Sequence, residues 1–135
     1  MCGILLVKSK HAITIEQHLN AFLKLRSRGP DFCRYQYENN IFVGQSVLHI
    51  TGSADYYHHE HPNFLAYNGE IYNFKELGAY SNDIEFVDAC VNNDISKLAS
   101  GWGPWAFAWT DKHTVLYASD PQGEKCLYQY QDNNI

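Results

Sequence analysis

Two dipeptides, Asn39-Asn40 and Asp111-Lys112, each stand between runs of apolar and β-branched residues, and they constrain the fold more than any other feature of this chain. Asn and Asp suit the backbone of a tight two-residue turn, so each dipeptide predicts an antiparallel hairpin. The first hairpin joins residues 33–37 to 41–50, and the second joins 105–109 to 114–118. Two further apolar runs, residues 2–8 and 64–67, predict buried strands, the second delivering Asn68-Gly69 at its end. Helical spacing fills much of the remainder. Ile15, Leu19, Phe22, Leu23 and Leu25 predict a helix opened by a Thr14-x-x-Gln17 capping box and stopped at Gly29-Pro30. Ile84, Val87 and Val91 predict a helix over 83–92, Ile95 with Leu98 predict helical turns over 94–100, and the polar residues 51–63 read as a loop. Helices beside antiparallel strand pairs imply an α+β layered architecture.

A chain of 135 residues suits a single domain, 1–135, and 45% hydrophobic content suffices to bury a real core. The formal net charge of −5 leaves no basic stripe for a phosphate backbone, so nucleic acid is not an expected partner. No apolar run approaches the ~20 residues that span a bilayer, and no charged-then-apolar leader opens the chain; a cytoplasmic protein without membrane contact is expected. The four cysteines, Cys2, Cys33, Cys90 and Cys126, contain no C-x-x-C pair, which favours reduced thiols over a disulfide framework or a zinc ribbon. His58, His59, Glu60 and His61 lack a second ligand cluster and read as a solvated loop, so neither metal nor cofactor is expected.

The chemistry centres on Cys2. Initiator methionine is removed efficiently when the next side chain is small, so the mature chain is expected to begin with a residue carrying both a thiol and a free α-amine. An α-amine titrates near pH ~8 and a thiol near ~8.5, which lets the amine take or relay the thiol proton. The bland alternative is a small, half-buried strand residue.

Three segments follow Cys2 in order: Arg28-Gly29-Pro30-Asp31; Asn68-Gly69-Glu70-Ile71-Tyr72-Asn73 with Lys75-Glu76-Leu77; and Asp120-Pro121-Gln122-Gly123-Glu124-Lys125 ahead of Leu127-Tyr128. Together they resemble the glutaminase domain of class II glutamine amidotransferases, most closely that of glutamine-dependent asparagine synthetases, over nearly the whole chain. The resemblance implies the four-layer αββα sandwich of N-terminal nucleophile hydrolases. It also implies hydrolysis of the glutamine side-chain amide to glutamate and ammonia through a Cys2 thioester, with the ammonia passing to an ATP-dependent synthetase domain or subunit. Asn68 and Gly69 would hold the oxyanion, Arg28 would brace the nucleophile beside Asp31 of the same motif, and Asp83 would bind the substrate α-ammonium. His49, Ile50 and Glu70 complete the expected substrate-binding set. Read as isolated residues, Asn68-Gly69 is equally a plain turn, Arg28 and Asp31 are helix-end and turn residues, and Asp83 is a helix cap.

Three departures stand out. Val47 occupies the strand position where the family usually has an arginine for the α-carboxylate, and valine offers no charge. His49, two residues on and expected on the same strand face, offers a partial substitute when protonated. Cys126 replaces the usual proline, and the chain stops soon after Leu127-Tyr128, where the family continues into further strands, a Ser-Ser-Glu segment and the synthetase domain. These departures leave two alternatives: a non-catalytic binding or regulatory domain that keeps the fold, and an N-terminal nucleophile hydrolase acting on another amide. An exposed, low-pKa Cys2 is expected to alkylate ahead of Cys33, Cys90 and Cys126.

Overall fold

Strands Gly3–Lys8 (β1), Phe32–Glu38 (β2) and Ile41–Val47 (β3) form one antiparallel sheet, in the order β1-β3-β2, in the computed structural model, which describes residues 1–12, 14–50 and 52–133. β3 is buried along its whole length because it is the central strand and is covered on both faces. Its even-numbered side meets the helix Ile15–Leu23 (α1), whose Phe22 ring packs 6.0 Å from Phe42 and presses against Gly44. The odd-numbered side turns toward a second sheet, as alternation along a strand requires.

That second sheet consists of Phe64–Gly69 (β4), Trp105–Thr110 (β5) and Val115–Ser119 (β6), antiparallel in the order β4-β5-β6. Val43, Phe64, Ala66 and Ala108, with Ile4 and Leu6 packed against them, form an apolar cluster drawn from both sheets. The opposite face of the second sheet carries Leu65, Tyr67, Trp105, Phe107 and Trp109 against Ile84, Phe86, Val87 and Cys90 of the helix Asp83–Asn93 (α3). Leu65 and Phe107 are fully excluded from water, and each such side chain contributes about 1.5–3 kcal/mol by burial. A short helix, Phe74–Leu77 (α2), and 3-10 turns at Arg26–Arg28, Asp55–His58 and Ile95–Ser100 connect these elements.

Both hairpins form, the first through the two-residue turn Asn39-Asn40 and the second through a longer, four-residue turn over 111–114. Asn39 and Asn40 adopt φ of 52° and 61°, the left-handed pair that matches the twist of the flanking strands. At the second turn the Asp111 carboxylate accepts from the backbone N–H groups of His113 and Thr114, fixing the corner. α3 is capped by Asn82, whose side chain accepts from Glu85 N at 3.0 Å; Asp83 is therefore the first helical residue, not the cap.

The structure corrects several boundaries. Thr14 makes no side-chain cap bond; the N–H of Gln17 goes to the Thr14 carbonyl, so no capping box exists. α1 ends at Leu23, not at Gly29, and passes into the tighter Arg26–Arg28 turn. That turn brings Gly29 flat against β3, where a Cβ would sit 2.4 Å from the Ser46 carbonyl oxygen. β3 ends at Val47 and does not reach Ile50, because Asp31 claims the next stretch: its N–H donates to the Val47 carbonyl, and its carboxylate accepts from His49 N at 3.0 Å. Of the expected helical turns over 94–100, Ile95–Ser100 form a 3-10 turn capped by Asp94, and the expected 51–63 loop contains another; Thr51 lies outside the described residues. No helix among the described residues is long and apolar enough to cross a membrane.

Candidate active site

The site grows from the open edge of β4. Among the described residues only β5 pairs with β4, so alternate main-chain groups of β4 point away from the second sheet. Two of the exposed carbonyls are satisfied from the first sheet: Gln45 Nε2 donates to the Tyr67 oxygen at 2.6 Å, and the Arg34 guanidinium donates to the Leu65 oxygen and to Gln45 Oε1. The Arg34 cation is itself sandwiched by aromatics, 4.6 Å from the Phe64 ring centre and 5.4 Å from those of Tyr56 and Tyr57. This polar bridge fixes the edge of β4 against β3. Gly69 is the next residue in phase. Glu70 N–H donates inward to the Pro104 carbonyl at 2.9 Å, so the Gly69 N–H points outward, beyond the last structural bridge.

Cys2 lies directly before β1 and meets this edge. Its nitrogen donates to Asn68 Oδ1 at 3.0 Å across a sequence separation of 66. With the oxygen of the Asn68 amide so engaged, its NH₂ group takes no partner among the described residues. The Cys2 thiol contacts the Leu48 carbonyl at 3.8 Å, and the next residue is held too, Gly3 N donating to Ser46 Oγ at 3.2 Å. Gly69 has no room for a side chain: a Cβ would fall 2.4 Å from the Pro104 carbonyl oxygen.

One small pocket of about 60 Å³, room for a few waters or part of a small ligand, receives these groups. It is lined by Cys2, Asn68, Gly69, Glu70, Asp83, His49 and Ile50, so seven of the eight residues expected from sequence converge on it. The eighth, Arg28, stands just outside and donates from Nε to the Cys2 carbonyl at 3.4 Å. Arg28 also lines, with Cys2 and Asn68, a larger cavity that continues between β1 and β6. Val47 is buried and does not line the pocket, and His49 lies beyond the end of β3. The expected sharing of one strand face between Val47 and His49 is therefore corrected. The His49 ring reaches Gly52 O at 3.1 Å and meets Tyr57 edge-on.

Asp83 sits at the base of the pocket, accepting from the Tyr67 hydroxyl at 2.8 Å and from Ile71 N at 3.0 Å. Burial pushes its carboxyl above the usual range, and Glu70 adds to the rise; the two hydrogen bonds oppose it without cancelling it. Burial likewise raises the Cys2 thiol, against the lowering effects of the Leu48 backbone and of the terminal ammonium. An exposed, low-pKa Cys2 is thus corrected: the thiol is half-buried and raised, whereas Cys33 and Cys126 are exposed. In the Met1-bearing chain those two should alkylate first.

Sequence reasoning missed Tyr57, Tyr67, Leu48 and Lys125 in the pocket wall, and Gln45 and Arg34 beneath it. Tyr57 arrives on the Asp55–His58 turn, a stretch whose histidines drew attention instead. Two of those histidines make ring contacts: His61 stacks 4.0 Å from the Tyr56 ring and bonds its carbonyl, and the exposed His58 meets Phe32 edge-on. No group of three metal-ligating side chains gathers among the described residues. Lys125 was visible within the Gln122–Lys125 motif, but nothing in linear order tied it to Cys2.

A family model described as a glutamine amidotransferase domain matches residues 1–135. The chain is similar to asparagine synthetase domain-containing protein 1 of Mus musculus, 30% identical over 152 residues that take in 100% of this chain and 24% of that protein. It is also similar to asparagine synthetase (glutamine-hydrolyzing) 1 of Bacillus subtilis strain 168, 29% identical over 150 residues, covering 95% of this chain and 24% of that one. The chain thus spans 24% of the length of these curated relatives.

Proposed function

The chain belongs to the glutamine amidotransferase domain family, and on that premise we propose that it is a class II glutaminase that hydrolyses the side-chain amide of glutamine with Cys2 as its N-terminal nucleophile. One observation carries the reading: the Cys2 nitrogen rests on Asn68 Oδ1, which gathers thiol, prospective α-amine and two outward donors around one pocket. Met1 lines that pocket, so its loss would both free the amine and make room for substrate.

With Met1 removed, the α-amine takes the thiol proton and Sγ attacks the amide carbon. The carbonyl oxygen becomes an oxyanion received by the Asn68 NH₂ and the Gly69 N–H. Collapse expels ammonia, which leaves with the proton held by the amine, and water then opens the glutamyl thioester to release glutamate. Arg28 braces Cys2 through its carbonyl, Asp83 receives the α-ammonium, and His49, Ile50 and Glu70 wall the amino-acid head. Two facing sheets, with α1 packed on one and α3 on the other, fit the four-layer αββα sandwich of N-terminal nucleophile hydrolases in a single domain over 1–135. The ammonia would serve an ATP-dependent synthetase in a separate domain or subunit, in the cytoplasm.

The test is glutamate and ammonia release from glutamine by protein whose mass confirms Met1 loss, with Cys2→Ala as control. Turnover that depends on Cys2 supports the proposal. Turnover of other amides but not of glutamine would instead favour the alternative that the loss of the arginine at Val47 raises, a hydrolase of different substrate.

A further inference from the structure

A free amino acid presents two opposite charges, and a pocket that selects one needs a counter-charge for each. Asp83 and Glu70 make this pocket acidic, which suits the α-ammonium and repels the α-carboxylate. The position where family resemblance places the carboxylate-binding arginine holds Val47, buried and outside the pocket. His49 is a weak replacement, because its Nε2 is held by Gly52 O and its main chain is tied to Asp31. Among the described residues Lys125 is the one lysine or arginine in the pocket wall.

Its placement is built, not incidental. Asp120 follows β6, is almost fully buried, and its N–H donates to the Trp105 carbonyl at 2.7 Å. The Asp120 carboxylate then accepts from Trp105 N at 3.3 Å, Glu124 N at 3.0 Å and Lys125 N at 2.9 Å. Trp105 is the register partner of Gly69, so one buried carboxylate fastens the Lys125 main chain beside the strand end that carries the oxyanion donors. Lys125 is half-buried and forms no ion pair among the described residues, where the pair recorded is Lys112 with Glu38 on the surface. A flexible stem bearing a point charge can reach a carboxylate from a turn, though without the two-pronged geometry of arginine.

We infer that Lys125 supplies the cation for the α-carboxylate of the amino-acid substrate, opposite the Asp83 contact to the α-ammonium, in place of the arginine this chain lacks. The inference rests on the proposed reading of the site as a glutamine pocket. Asp120 acts on it as a positioning residue through the Lys125 main chain.

The experiment measures glutamine binding by calorimetry in the Cys2→Ala protein, which cannot turn substrate over, with Lys125 intact, Lys125→Met and Lys125→Arg. The α-carboxamide analogue of glutamine is titrated in parallel, and turnover of the Cys2-intact proteins is followed separately. Lys125→Met should weaken glutamine on the order of ten- to a hundredfold and the α-carboxamide less than about threefold, with Lys125→Arg restoring most of the loss. Equal weakening of both ligands, or none of either, overturns the assignment and leaves the glutaminase reading standing. Selective weakening in a protein that shows no turnover supports Lys125 while refuting that reading. Absence of glutamine binding in the parent overturns both.

Discussion

Replacing Asn68 by alanine removes one hydrogen bond that the structure shows and, on the proposed reading, one oxyanion donor, and the two effects can be separated. The Oδ1 atom accepts from the Cys2 nitrogen at 3.0 Å, while the NH₂ group faces the pocket without a partner among the described residues. Losing an oxyanion donor costs about 2.7–4 kcal/mol, a drop of roughly a hundred- to a thousandfold in kcat. Losing the hydrogen bond that aims the Cys2 nitrogen costs a further ~0.5–1.5 kcal/mol, up to about tenfold. Asn68→Ala should therefore lower kcat by about three orders of magnitude with KM changed little, since neither contact binds ground-state glutamine. Asn68→Asp is the informative companion. It keeps an acceptor for the Cys2 nitrogen, strengthened by charge, but removes the donor and places an anion where the oxyanion must form. Glutamate release in steady state and in a single turnover would be compared for the three proteins. If Asn68 serves the oxyanion, the aspartate variant falls at least as far as the alanine variant. Retention of kcat within about threefold of the parent in Asn68→Asp would falsify the oxyanion role and leave Asn68 a positioning group for Cys2 alone.

Burial raises the Asp83 carboxyl, so the native state holds a proton that the unfolded chain has already released, and stability falls as pH rises from the ordinary value of 3.8 through the raised one. Asp83→Asn should escape that loss and melt higher than the parent at neutral pH while its KM for glutamine rises at least tenfold; parallel melting curves across pH 3.5–7, on the order of that window, would sink the account. Phe22 is 1% exposed and covers Gly44 and Phe42, so Phe22→Ala should destabilise by about 3–5 kcal/mol, read as a shifted urea midpoint at unchanged slope. Because α1 and the site lie on opposite faces of the first sheet, kcat of the folded fraction should stay within about twofold; a large fall would mean that α1 sets the geometry of Cys2.

Features decided by a few adjacent residues were legible in the chain. Asn39-Asn40 specifies its turn because few other residues tolerate positive φ twice in succession, and the strands on either side follow from apolar runs of the right length. α3 likewise carries its apolar face in neighbouring turns, although its cap proved to be Asn82 and not Asp83. Cys2, Asn68, Gly69 and Asp83 follow from the family resemblance, and the structure draws them to one pocket. What the chain alone did not disclose depends on the second sheet lying against the first. Gln45 and Arg34 look like stray polar residues on strands until the open edge of β4 presents its carbonyls to them. β3 stops at Val47 because of Asp31, 16 residues earlier, and Lys125 meets the site because Asp120 is fastened to the end of β5. Local propensity acts between neighbours in sequence and can be read from it. An acceptor left open at a strand edge is filled by whichever donor the packing brings within 3 Å or so, and that is decided only when the sheets come together.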